Sequence, residues 1–395
     1  MGKLIEMPYA YRDSRTEGMM DSWKKKMTEE ETFLRTGINF YQFNTLFQLL
    51  ACQTDIKLSK ADSLLFIPSY IYYCLTGNKF NETTIASTSQ LLGVFSSELD
   101  DTIINKLGIN ASIFPGIVNP GHVIGKLTDP DLYNNQIRAV AVCCHDTASA
   151  VAAVPTLENS FAFISAGTWC ILGIESEKPL LSKQALKLGI TNERAYGNAY
   201  RVQKNIVGLW LVQELQKAMA EPKDFSELEK MAMQKHSSQH LIDPEDELFY
   251  NPGNMFEAFN HYFEKTAQDM PGSISEYIQC AYTSLSLAFG YYLGKLEELN
   301  NLKYETVYVI GGGSQSKYLC QSIANYTKKH VSAGPVECAA IGNIMVQAIA
   351  SNKIKNLKEG RKMVKKSFTQ KVFKPSIPEN ERVKMFKKFI DLRTQ

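Results

Sequence analysis

The stretch RAVAVCCHDTASAVAAVP, Arg138 to Pro155, sets the fold class. Its first half, Arg138 to Cys144, is a continuous apolar run of the kind that forms a buried strand. Its second half, TASAVAAV, is small and helix-compatible until Pro155 ends it. The change from one to the other falls at His145-Asp146-Thr147. In open α/β sheets the carboxyl end of a strand is where ligands bind. Asp146, with Thr147 and Ser149 opening the helix, reads either as a helix cap or as a general base aimed into a cleft.

A second strand–turn–helix unit lies downstream. TVYVI, Thr306 to Ile310, leads into Gly311-Gly312-Gly313-Ser314-Gln315 and a helix to about residue 329. No Gly-Lys-Ser/Thr follows, so this is no Walker A loop, and Ser316 breaks the GxGxxG spacing. A triple glycine on such a turn still lets a nucleotide approach closely, with the helix N-terminus favouring negative charge. Between the two units, two short strands over 160–175 flank Ser165-Ala166-Gly167-Thr168-Trp169. That turn is either a plain hairpin or a place where backbone N–H groups and the Thr168 hydroxyl meet an anion. Tyr200 to about Ala220 reads as one long helix, helical patterns dominate 225–300, and a helix covers 337–350. Strands separated by helical stretches make the chain α/β, with a boundary near 150–160.

The remaining composition narrows the class. At 395 residues with 44% hydrophobic and 21% charged side chains, the chain has room for two ordinary domains and is not disordered. No apolar run is long enough to span a bilayer, and the first twenty residues lack a signal-peptide core, which points to a cytoplasmic protein. Residues 351–395 carry 14 Lys/Arg against 4 Asp/Glu, so the rest of the chain is acidic. No nucleic-acid motif accompanies that basic tail, so it reads as an amphipathic helix with Val383, Phe386, Phe389 and Ile390 turned inward. Membrane and nucleic-acid partners are not expected. The eight cysteines form no CxxC pair. His236 and His240 have zinc-ligand spacing without an intervening carboxylate, so no metal site is expected there.

Set side by side, HDTASAVAAVP, ISAGTW, YRVQKNIVGLWLVQE, VIGGGSQSKYLCQSIA and AGPVECAAIGNIMVQAIA resemble the rhamnulokinases. These are sugar kinases of the FGGY carbohydrate kinase family, within the actin-like ATPase superfamily. YRDSRTEGMM, GINFYQFNTLFQL and PSYIYYCLTG are similar to the same family in the same order. The resemblance implies a two-domain, ribonuclease H-like fold with a cleft between domains. It places a sugar-side domain at 1–152, a nucleotide-side domain at 153–350 and a basic helical tail at 351–395. It also implies ATP and Mg²⁺ as cofactors and the ketose L-rhamnulose as substrate.

By the same resemblance Asp146 is the catalytic base, and His145, Thr147 and Asn205 contact the sugar. Thr168, Gln213 and the Gly311, Gly312, Gly313 loop contact the nucleotide. If Asn205 and Gln213 lie on one helix, they are roughly 12 Å apart along its axis. Ser69 stands where relatives usually carry Asp, and Arg194-Ala195-Tyr196 replaces a Gly-rich stretch. Family members also begin with an Asp-Leu-Gly-type phosphate loop, and this sequence starts at a point inside the first domain. On that reading the first domain is N-terminally truncated. Negligible turnover by the chain alone, a sugar- or nucleotide-binding remnant, a separate N-terminal fragment or a homo-oligomer are the expectations that follow.

Overall fold

A computed structural model describes residues 2–10, 13–53, 56–128, 137–233 and 239–394. His236, one of the two histidines with zinc-ligand spacing, lies outside these residues. The described strands are β1 Asn81–Glu82, β2 Ile117–Val118, β3 Val123–Lys126, β4 Arg138–Val140, β5 Ala162–Ala166, β6 Trp169–Ser176, β7 Thr191–Arg194, β8 Tyr200–Val207, β9 Thr306–Ile310, β10 His330–Ala333 and β11 Lys371–Phe373. The chain divides into two compact units. The first holds Met1–Ala153, Ser176–Val202 and Ala339–Gly360; the second holds Val154–Glu175, Gln203–Cys338 and Arg361–Gln395.

The first unit is built around a helical core and small strand pairs. Trp23, Phe47, Leu50, Ile104 and Leu107 are buried together. The Trp23 indole N–H donates to Thr32 Oγ1 at 2.9 Å, so the ring brings no unpaired donor inside. The helix Ile67–Thr76 starts with a proline in its first turn and ends at Gly77. There φ is +72°, and the Gly77 N–H bonds the Tyr73 carbonyl. β1 pairs with β2 in parallel and β3 with β4 antiparallel. β7 and the start of β8 turn back on each other through the Ala195 N–H to Ala199 carbonyl bond of 2.9 Å.

The apolar run after Arg138 does not stay a strand to Cys144. β4 ends at Val140 because side chains take the following backbone donors. Val142 N–H goes to the Tyr72 hydroxyl, Cys144 N–H to Glu82 Oε2 and His145 N–H to Thr84 Oγ1, at 3.1–3.2 Å. An extended stretch whose donors are met by side chains has no need of a neighbouring strand.

The second unit holds the larger sheet, in which the strands run β11-β10-β9-β5-β6-β8. β10, β9 and β5 are mutually parallel, and β6 and β11 run antiparallel to their neighbours. The long helix Ile274–Asn300 is buried along most of its length, and its Leu287 joins Tyr326 and Phe389 in one cluster. Tyr200 to Ala220 is not one helix. It is β8, a break at Gly208-Leu209, and the short helix Trp210–Lys217. β-Branched Val202, Ile206 and Val207 suit the strand. At Gly208 any Cβ would come within 2.5 Å of the Cys170 backbone nitrogen, so the chain turns where only glycine fits.

The basic tail is built into this unit. β11 adds to the sheet, and the helix Glu379–Arg393 turns Met385, Phe389 and Leu392 into the core. Phe386 and Ile390 pack at the margin of that cluster. Val383, expected inside, is 51% exposed, because the buried stripe runs 385-389-392. Several of the tail's cations are paired instead of solvated. Arg361 meets Glu175 in the interior, and Arg393 meets Asp243 and Glu245 at 3.4 and 2.9 Å.

Candidate functional site

In the first unit, Asp146 is the first residue of the helix Asp146–Ala152, with His145 at the N-cap position. Its Oδ1 accepts the Thr147 N–H at 2.5 Å and the Thr147 hydroxyl at 3.2 Å. The carboxylate nevertheless stays 85% exposed. Asp146 is therefore not the cap, since His145 holds that position and makes no side-chain capping bond; one oxygen of Asp146 is oriented by Thr147, and the group remains open to a reactant. Ser149 Oγ donates back to the Cys143 carbonyl at 2.8 Å, which fixes the turn from extended chain to helix.

Beside Asp146 lies a cavity of about 450 Å³. Its wall is largely apolar, from Ile71, Tyr72, Val142, Cys143 and Ala339, with Asp146, Ser149 and Asn343 as polar members. The buried carboxylate of Glu82 holds the backbone of Cys144, one of the lining residues. Besides Cys144 N–H it accepts from the Thr84 N–H and hydroxyl and from the Ile85 N–H. Burial raises the pKa of Glu82 while these hydrogen bonds lower it, and burial prevails. Glu82 was not singled out in the sequence. A lone acid before Thr-Thr carries only a weak capping signal there.

In the second unit, the parallel pairing of β5 with β9 sets Ser165 opposite Ile310. The Gly167-Thr168 turn and the Gly311–Gly313 loop thus leave the carboxyl ends of adjacent strands, the usual ligand edge of such a sheet. Gly311 has φ +81°, and an added Cβ would lie 3.0 Å from the Ala166 carbonyl oxygen. At Gly313 it would meet the Ala166 methyl at 2.5 Å, whereas at Gly312 nothing lies within 4 Å. The helix bearing Gln213 starts on the same turn, through Leu209 N–H to the Gly167 carbonyl and Trp210 N–H to the Thr168 carbonyl, both 3.0 Å. Thr168, Gly311, Gly312, Gly313 and the Gln213 helix are therefore brought together. Thr168 is exposed.

One expectation about this loop is corrected. The helix Lys317–Thr327 does not offer a fully open N-terminus to an anion, because its Tyr318 and Leu319 N–H groups are taken. Ser316 Oγ accepts Leu319 N–H, and Glu229 Oε1 accepts both the Ser316 hydroxyl and the Tyr318 N–H at 2.7 Å. Of the three glycines only Gly312 is exposed, so the open part of the loop is there.

Asn205 sits on β8 and not on the Gln213 helix, so the axial spacing expected for the pair does not apply. Its Oδ1 is buried and has no hydrogen-bond partner among the described residues. A buried acceptor without a donor calls for one from a ligand or a water. No cluster of three or more metal-ligating side chains occurs among the described residues. Nor is any described helix long and apolar enough to cross a membrane.

The glycine loop yields a paired expectation. Gly313→Ala should lower thermal stability, since its methyl meets the Ala166 methyl in a buried turn. Gly312→Ala should leave the melting temperature unchanged and raise KM for ATP about tenfold, a loss of roughly 1.4 kcal/mol. Thermal melts and ATP saturation curves on both variants check this. Equal loss of stability in both would remove the distinction.

Comparison with known proteins fits these two halves. The N-terminal domain model of the FGGY family of carbohydrate kinases matches residues 3–153, and its C-terminal domain model matches 162–351. A rhamnulokinase of Bacillus subtilis (strain 168) is 35% identical over 377 residues, which is 95% of this chain and 78% of that one. A rhamnulokinase of Oceanobacillus iheyensis is 39% identical over 364 residues, 91% of this chain and 77% of that one. In three dimensions the chain is similar to gluconate kinase from Lactobacillus acidophilus, with TM-score 0.78 and 14% identity over 99% of this chain and 79% of that chain. It is also similar to Plasmodium falciparum glycerol kinase with ADP, with TM-score 0.80 and 17% identity over the same shares. These likenesses show the two-domain actin-like ATPase fold, and the relatives give no support to an inactive remnant. Matched along both of its halves, the chain belongs to the FGGY family of carbohydrate kinases and is an ATP-dependent sugar kinase.

Proposed function

We propose that this kinase transfers the γ-phosphate of ATP to the 1-hydroxyl of L-rhamnulose. The observation that carries the reading is the run of rhamnulokinases at 35–39% identity over more than nine-tenths of the chain. The exposed, oriented carboxylate of Asp146 beside an apolar cavity supports it. L-Rhamnulose is a 6-deoxy ketose, and a wall of Ile71, Val142, Cys143 and Ala339 suits a methyl group better than a hydroxyl.

In this reading Asp146 takes the proton of the sugar's primary hydroxyl as that oxygen bonds the γ-phosphorus. The bond from the γ-phosphorus to the β–γ bridging oxygen breaks, and ADP leaves. His145, Thr147 and Asn205 hold the sugar, Asn205 through its unpartnered Oδ1. Thr168, Gln213 and the Gly311–Gly313 backbone hold the nucleotide, with open space at Gly312 for close approach. Mg²⁺ would arrive on the phosphates, neutralising charge there, and so needs no protein cage of its own. The unit built on Met1–Ala153, which also takes in Ser176–Val202 and Ala339–Gly360, is the sugar side, and the unit holding Val154–Glu175, Gln203–Cys338 and Arg361–Gln395 is the nucleotide side, so the simple division at 152/153 does not hold along the whole chain.

The test compares kcat/KM for L-rhamnulose with that for L-fructose, its 6-hydroxy counterpart, and with xylulose, glycerol and gluconate. L-Rhamnulose should lead, with about 10–100-fold discrimination against L-fructose. Preference for any of the other three acceptors would overturn the assignment.

A further inference from the structure

β8 carries a fully buried arginine, Arg201. Its guanidinium lies 2.7 Å from Glu193 Oε2 on β7, and its Nε donates to the Arg194 carbonyl at 3.1 Å. Nη1 lies 3.4 Å from His145 Nδ1. Arginine has donors only, so this contact needs a lone pair on Nδ1, and a neutral ring then carries its proton on Nε2. The same Nδ1 is 3.4 Å from Asp146 Oδ1. An imidazolium there would pair with the carboxylate and make it a poorer base.

We propose that Arg201, held in place by Glu193, is a positioning residue for phosphoryl transfer: it fixes His145 as the neutral Nε2–H tautomer and keeps Asp146 free of an imidazolium partner. This rests on the reading of Asp146 as the base. Glu193 makes the arrangement possible, since a buried guanidinium needs a counter-charge. The groups facing His145 are Arg201 from β8, Glu193 from β7 and Asp146 from its own helix, with Thr84 and Glu82 holding the adjacent backbone. Burial first, and the Arg201 charge second, push the imidazole below its ordinary pKa, against the opposing pull of Glu193 and Asp146.

In the ¹⁵N-labelled protein, the His145 ring signals can be assigned by their loss in His145→Gln and followed from about pH 5 to 8, where histidine ordinarily titrates. Nδ1 should behave as an unprotonated, pyridine-type nitrogen, with any midpoint below the ordinary value of about 6.5. A protonated Nδ1 at neutral pH, or a midpoint at or above that value, overturns the proposal. In Arg201→Met the midpoint should rise by about one unit, and the acid limb of kcat/KM should rise with it. Arg201→Lys, keeping the charge, should bring both most of the way back. A folded Arg201→Met with both unchanged also overturns it, and if that variant fails to fold, the wild-type spectrum still decides. None of the spectra depends on turnover, so failure of the Asp146 reading shows separately, as activity retained in Asp146→Asn.

Discussion

Asp146→Asn should lower kcat by about 10²–10⁴-fold, the usual contribution of a positioned base. The sugar dissociation constant should change by less than about threefold, since the group acts in the transition state and not in ground-state binding. The substitution is close to isosteric. Its amide oxygen can still accept the Thr147 N–H and hydroxyl that orient the carboxylate now, so the turn should persist. What disappears is the capacity to take a proton. Steady-state kinetics, with calorimetric titration of the sugar, separate the two effects. A variant keeping a tenth of the activity would show that another group is the base.

Gly342→Ala should destabilise the first unit and slow turnover. Propensity argues the other way, because alanine inside a helix is worth roughly 1 kcal/mol over glycine. Here the added methyl would sit 1.8 Å from the Ser149 carbonyl oxygen and 2.6 Å from its carbon. These are backbone atoms and cannot rotate aside. The helix Cys338–Ala350 and the helix Asp146–Ala152 must separate, at a cost in the upper part of the ~1–3 kcal/mol usual for overpacking. Packing should therefore win by about 1 kcal/mol, a drop of about 2–4 °C in Tm. Because Ser149 is one turn from Asp146, kcat should fall several-fold with it. A variant more stable than the parent, as propensity alone requires, would mean the contact relaxes freely.

Much of the architecture was legible because it rests on local signals. The helical spacing of SLLFIPSYIYYCLTG with a stop at Gly77 matches the end of the helix Ile67–Thr76, though the helix starts only at Ile67. TVYVI before a glycine run gave strand, turn and helix in the right order. Two misreadings share a cause. Tyr200 to Val207 carries a pattern compatible with either period, and tertiary packing around Gly208 decides for a strand. The run to Cys144 has the composition of a strand, but side chains far off in sequence, Tyr72, Glu82 and Thr84, claim its donors. The same distance in sequence hid the groups around the candidate site: Glu82 and Arg201 matter through partners that no spacing rule connects to them. The glycine loop was visible in composition, but the occupied helix end behind it was not, because Glu229 lies almost 90 residues upstream.

Glu229 does more than accept two hydrogen bonds. By satisfying Ser316 and Tyr318 it gives the helix Lys317–Thr327 a counter-anion of its own. That helix end behaves as a receptor partly filled by a tethered ligand. Inorganic phosphate or sulfate would meet a carboxylate already seated there, whereas the space beside Gly312 stays open.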